Sequence, residues 1–125
     1  MVHVFDITVP ANGTQATAQK TKLTVSPGLI QKVEVRFPAG CFDLVHVQIM
    51  RTLQQVWPQT PGADLHSDNE TITYRERYQL LELPWEFQAV TWNTDDTYDH
   101  TITIRFEIMP PEITLGRRSL VSLPR

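Results

Sequence analysis

The chain has 125 residues, 41% of them hydrophobic and 20% charged, with a net charge of −3. That composition fits one ordinary globular domain with a single core, and excludes collagen, coiled coil and a disordered chain. An acidic balance also argues against non-specific nucleic-acid binding, which needs a basic face to neutralise phosphates.

Thr, Val and Ile together make up 34 residues, and 9 prolines are spread along the chain. β-Branched side chains are stiff at χ1 and pack well on a pleated surface, whereas proline breaks long helices. Period-two alternation then marks the elements. Residues 2–9 (VHVFDITV) read as a first strand, followed by a turn-rich stretch at 10–20 and a second strand at 21–26 (TKLTVS). The SPG turn leads into 29–37, where Leu29, Val33, Val35 and Phe37 share one face with Gln31; Lys32, Glu34 and Arg36 share the other with Ile30.

After the PAGC turn comes a strand at 44–51 (LVHVQIMR), with 55–57 (QVW) returning against it in a hairpin around Thr52 to Gln54. In 71–80 the apolar face Ile72, Tyr74, Tyr78, Leu80 is interrupted by Glu76, which predicts a bulge or a strand end there. In 83–92, Trp85 lies on one face with Leu83, Phe87 and Ala89 and is read as core. Val90 and Trp92 fall on the other face, so this strand is either buried on both sides near its end or bulged. The last strand, 101–109, alternates Ile102, Ile104, Phe106 and Ile108 with Thr101, Thr103, Arg105 and Glu107.

Short strands punctuated by turns predict an all-β chain, an antiparallel sandwich or barrel, over residues 1–109. Residues 110–125 (PPEITLGRRSLVSLPR) carry a net charge of +2 against −5 for the rest. With Ile113, Leu115, Leu120 and Val121 beside Arg117 and Arg118, this stretch reads as an extended arm that docks on a neighbouring copy.

Loops 58–70 (Asp64, His66, Asp68, Asn69, Glu70) and 93–100 (Asn93, Asp95, Asp96, Asp99, His100) concentrate oxygen and nitrogen donors. Neither has calcium-loop spacing, and Asn and Asp favour turns by bonding their own backbone. Turn chemistry is therefore the expectation, with Asp95, Asp96 and Asp99 the weak metal candidates. His3 and His46 each sit in a VHV strand segment, His66 and His100 in loops, without zinc-type Cys/His spacing. No Gly-x-Ser-x-Gly elbow and no phosphate-cradling glycine loop is present. Cys41 is the lone cysteine and reads as a small buried hydrophobe. No enzyme activity and no cofactor are expected. Trp57 and Trp92 are the candidate exposed aromatics, for a protein interface or for sugar stacking. The N-terminal MVHVFDITVPANG lacks a basic stretch followed by an apolar one, so no secretory signal is expected. No apolar run approaches the roughly 20 residues of a membrane-spanning helix, so no membrane partner is expected.

The run from VHVFDITVPANGTQ through LTVSPGLIQKVEVRFPAGCFDLVHVQI to AVTWNTDDTYDHTITIRFEI, about residues 2–109, resembles small β-sandwich virion proteins of tailed bacteriophages. The resemblance rests on the PxG turn before a charged amphipathic strand, the FPAGC turn into LVHV, and WNxDDTxxHTITIRF. It implies a single antiparallel β-sandwich, jelly-roll-like, and a non-enzymatic structural protein located on the virion and assembled in the host cytoplasm. Such a protein would decorate or cement a capsid, or join the tail or head-to-tail machinery. The expected partners are its own copies, a homo-oligomer with a trimer favoured, and a major capsid or other virion protein. The alternative is a carbohydrate- or receptor-binding module of a tail component, which requires Trp57 or Trp92 at the surface. A small metal enzyme built on loop 93–100 is the third expectation to test.

Overall fold

The computed structural model describes residues 1–111, and each alternating stretch in that range is a strand. The strands are β1 (Val2–Val9), β2 (Gln19–Thr24), β3 (Gly28–Phe37), β4 (Val45–Arg51), β5 (Gln54–Trp57), β6 (Glu70–Leu80), β7 (Glu86–Asn93) and β8 (His100–Met109). One 3-10 turn, Gln15–Thr17, interrupts the β1–β2 connection, where the Thr14 backbone N–H donates to Thr17 Oγ1 at 2.9 Å.

Two antiparallel four-stranded sheets form, in the orders β1-β8-β3-β6 and β2-β7-β4-β5. The pairing is nested: β4 with β5, β3 with β6, β2 with β7 and β1 with β8. One long hairpin folded back across two sheets has this order, which is the eight-stranded jelly roll. The all-β sandwich read from alternation is therefore the observed fold.

The inner faces interlock as period two dictates. Val33, Val35 and Phe37 of β3 and Ile102, Ile104, Phe106 and Ile108 of β8 meet Val45, Val47 and Ile49 of β4 and Phe87 and Ala89 of β7. Full burial of each Val, Ile or Phe side chain among them contributes about 1.5–3 kcal/mol. Across the sheets, Phe87 and Phe106 stack with ring centroids 5.1 Å apart and planes 13° from parallel.

One irregularity changes the phase of β3. Between Ile30 and Lys32, β3 shifts register against both β6 and β8. Ile30 pairs with Tyr78 and Lys32 with Arg75, so Gln31 faces two residues, Glu76 and Arg77. The bulge expected at Glu76 is there, and the strand continues through it to Leu80. The face assignment on β3 is corrected by its pairing with β8. There Ile30 pairs with Ile108 and Lys32 with Glu107, so Gln31 is an extra residue on β3, and Ile30 turns inward with Val33 in the core cluster although strict alternation puts it with Lys32. At the start of β3, Gly28 adopts φ +149°. A Cβ there would lie 2.2 Å from the Met109 carbonyl oxygen, so only glycine fits where β3 meets β8.

Candidate interaction end and histidine cluster

Strand register brings the start of β7 and the ends of β2, β4, β6 and β8 to one end of the sandwich: Gly28 pairs with Leu80, Leu29 with Met109 and Thr24 with Glu86. Here the β4–β5 turn meets the β6–β7 loop, because Arg51 Nη2 donates to the carbonyls of Glu82 at 2.7 Å and Pro84 at 3.2 Å. The Val25 N–H donates to the Trp85 carbonyl at 3.1 Å, tying the β2–β3 connection to the same loop. These loops hold large apolar side chains in solvent: Leu53 is 93% exposed, Leu83 74% and Trp85 39%. Leu81 is exposed beside them, and the chain leaves β8 at this end through Pro110 and Pro111. Apolar groups gathered like this at a surface mark an interaction site more often than scattered ones do.

The tryptophans are distributed otherwise than expected. Trp57, a candidate exposed aromatic, is fully buried at 0%. It ends β5, and its ring sits between the sheets, with centroids 5.4 Å from Phe87, 5.5 Å from Tyr78 and 6.2 Å from Phe106. Trp92, the other candidate, is only 6% exposed. It does point to the outer face of its sheet, but the His46 ring stacks on it, 5.1 Å away and 10° from parallel. The segment around Pro10 to Gln19 approaches it as well. Strand β7 is thus buried on both sides near its end. Trp85, read as core, is instead the partly exposed tryptophan. Pro84 lacks an N–H for the ladder, so β7 begins at Glu86 and Trp85 falls in the loop outside the alternation.

Loop 93–100 spends its polar atoms on its own turns and on the chain that follows β1. Asn93, fully buried, donates from Nδ2 to the carbonyls of Val9 (3.2 Å) and Tyr98 (2.9 Å), and its Oδ1 accepts the Asp95 N–H at 2.9 Å. Asp95 Oδ1 accepts the N–H groups of Thr97 (2.9 Å) and Tyr98 (3.2 Å), while its Oδ2 lies 2.9 Å from His100 Nε2. The His100 hydrogen bond, and then the Thr97 N–H, hold the Asp95 carboxyl below the usual carboxylate range. Asp99 Oδ1 accepts the Ala11 N–H at 2.8 Å, and Asp96 Oδ1 accepts the Thr97 hydroxyl at 2.8 Å. The three aspartates therefore brace turns in separate directions.

In loop 58–70, Asp68 Oδ1 accepts the N–H groups of Gly40 and Phe42, each at 2.9 Å, which holds the PAGC turn. Cys41 in that turn is buried; burial, with Asp68 adding to it, pushes its thiol pKa up. A thiol held protonated is a poor nucleophile. Asp64 does something different. Its Oδ1 lies 2.7 Å from His46 Nδ1 and 2.9 Å from His66 Nδ1. Among the described residues, these three form a group of possible metal-ligating side chains whose donor atoms all lie within 4.8 Å of one another. No spacing in the sequence signalled it. His46 comes from a strand and the other two from a loop 18 and 20 positions on.

Of the arm, Ile113, Leu115, Arg117, Arg118, Leu120 and Val121 lie outside the described residues. Among those described, no helix is long and apolar enough to cross a membrane. Comparison with known protein families and with curated sequences finds no match for this chain.

Proposed function

We propose that this chain is a non-enzymatic structural protein of a tailed-bacteriophage particle, a decoration or cement protein that self-associates and stabilises the shell. The observation that carries the reading is the apolar end: Leu53, Leu81, Leu83 and Trp85 stand in solvent where the chain also leaves β8 toward its basic last residues. A jelly-roll body supports it by association, since viral capsid domains often use this topology, though fold alone does not assign a role. The occupant of the apolar end is a second copy, in a closed ring with a trimer as the expected number. The proposed role of residues 110–125 is an arm for the neighbouring copy, since an exchanged arm raises effective concentration without a large rigid contact. The other partner is a major capsid or other virion protein. The glycan-stacking alternative loses its support, because Trp57 and Trp92 are both buried.

Sedimentation velocity of the full chain against a chain ending at Met109 tests the reading. The full chain sediments as a discrete oligomer, and the shortened one as a lighter species with the same far-UV circular dichroism. Equal sedimentation of both at monomer mass contradicts it.

A further inference from the structure

The outer face of the β2-β7-β4-β5 sheet carries a second feature, independent of the apolar end. Leu65, in the long β5–β6 connection, exchanges both backbone hydrogen bonds with Val47 of β4, at 2.8 and 2.9 Å. Both side chains point into the core and are buried. In extended antiparallel chains the flanking residues must then point outward together, with 66 opposite 46 and 64 opposite 48. His46 and His66 thus face each other across the bridge, their ring centroids 5.3 Å apart. Asp64 sits beside them, one oxygen within 2.7 and 2.9 Å of the two Nδ1 atoms.

We propose that His46, Asp64 and His66 form a binding site for a divalent transition-metal ion of the zinc type, ligated through both Nδ1 atoms and an Asp64 carboxylate oxygen.

Four observations carry it. Two imidazole nitrogens and a carboxylate are a donor set that suits zinc, cobalt and nickel, and does not suit the all-oxygen preference of calcium or magnesium. The spacing is near that of ligation: bonds of about 2.0–2.1 Å in a tetrahedral site put donors roughly 3.3 Å apart. The pairs at 2.7 and 2.9 Å need to open by only about half an ångström. Rigidity is divided usefully. The Trp92 stack fixes the His46 ring, whereas His66 is exposed and free to adjust. Gln48 Nε2 donates to the Ala63 carbonyl at 2.9 Å, so the backbone just before Asp64 is anchored to β4. Ligation needs no net proton transfer from a neutral histidine, because each ring moves its proton from Nδ1 to Nε2. The exposed side of His66 is the entry path, and water completes the coordination. The ion would staple the 58–70 connection to β4.

The test uses tag-free, full-length protein stripped with EDTA and then titrated with Zn2+ by calorimetry and with Co2+ by visible absorption. The expected result is one saturable equivalent per chain, Co2+ displaced by Zn2+, and a higher melting temperature with metal. His66→Ala and Asp64→Asn should each weaken binding by about tenfold or more, with far-UV circular dichroism unchanged. NMR of the unsubstituted protein gives a readout that needs no variant: only the His46 and His66 rings should respond to Zn2+. No saturable binding overturns the proposal. So does undiminished affinity in both variants, or binding that instead disappears in His100→Gln with His100 the responding ring.

Discussion

The Trp57 indole donates from Nε1 to Glu76 Oε1 at 2.7 Å. This contact explains why a carboxylate interrupts the apolar face of β6. A fully buried indole N–H without an acceptor is costly, and the unbroken alternation of β6 sets Glu76 between Tyr74 and Tyr78 on the inner face to supply one. Glu76→Leu should therefore destabilise the fold by about 1–3 kcal/mol, despite adding apolar surface. Glu76→Gln, which keeps an acceptor oxygen, should cost less. Denaturant melts of the three proteins check this, and an unchanged midpoint for Glu76→Leu contradicts it.

Thr91 presents the opposite case. It faces the core from β7, is fully buried, and its hydroxyl has no hydrogen-bond partner. Valine has nearly the same shape and no group to desolvate. Thr91→Val is expected to raise stability by about 1 kcal/mol, seen as a higher denaturation midpoint at constant slope. A lower midpoint would mean that the hydroxyl is satisfied by water.

Acid sensitivity should trace in part to Asp95. Its folded carboxyl titrates below the ordinary aspartate range, first because of His100 and then because of the Thr97 N–H. As pH falls, the unfolded chain takes up the proton first, near pH ~3.9. The stabilisation from Asp95 is thus present in full above that value and disappears as pH drops through the lower folded value. Asp95→Asn, which cannot titrate, should be less stable than the natural chain at neutral pH, and the two melting temperatures should converge below about pH 4. Parallel curves down to the acid limit would contradict the assignment.

How far the sequence could be read depended on the range of the cause. Strand β8 was fully legible, because Ile102, Ile104, Phe106 and Ile108 alternate with polar residues and no turn residue intervenes. Even the irregularity opposite Glu76 had a local sign, a carboxylate on an otherwise apolar face. The tryptophans were misplaced because their surroundings are non-local. Trp57 is buried by rings from β6, β7 and β8, Trp92 by His46, and Trp85 is released by a proline that delays its strand. Likewise the two VHV segments look alike, yet His3 Nε2 lies 3.2 Å from Ser26 Oγ while His46 meets Asp64. What separates them is the Val47–Leu65 bridge, a pairing between a strand and a distant loop that no local pattern announces.

The central claim is that copies of this chain associate through the apolar end. Its most direct test is the absolute mass in solution, by light scattering on a sizing column, of the full chain and of the double variant Leu53→Glu with Leu83→Glu. Both leucines are exposed, so neither substitution should disturb the core. The full chain is expected at a discrete multiple of 14.4 kDa, a trimer by this account, and the double variant at the monomer mass with an unchanged β spectrum. A full chain that stays monomeric at every concentration, or a double variant that keeps the same oligomer, would contradict it.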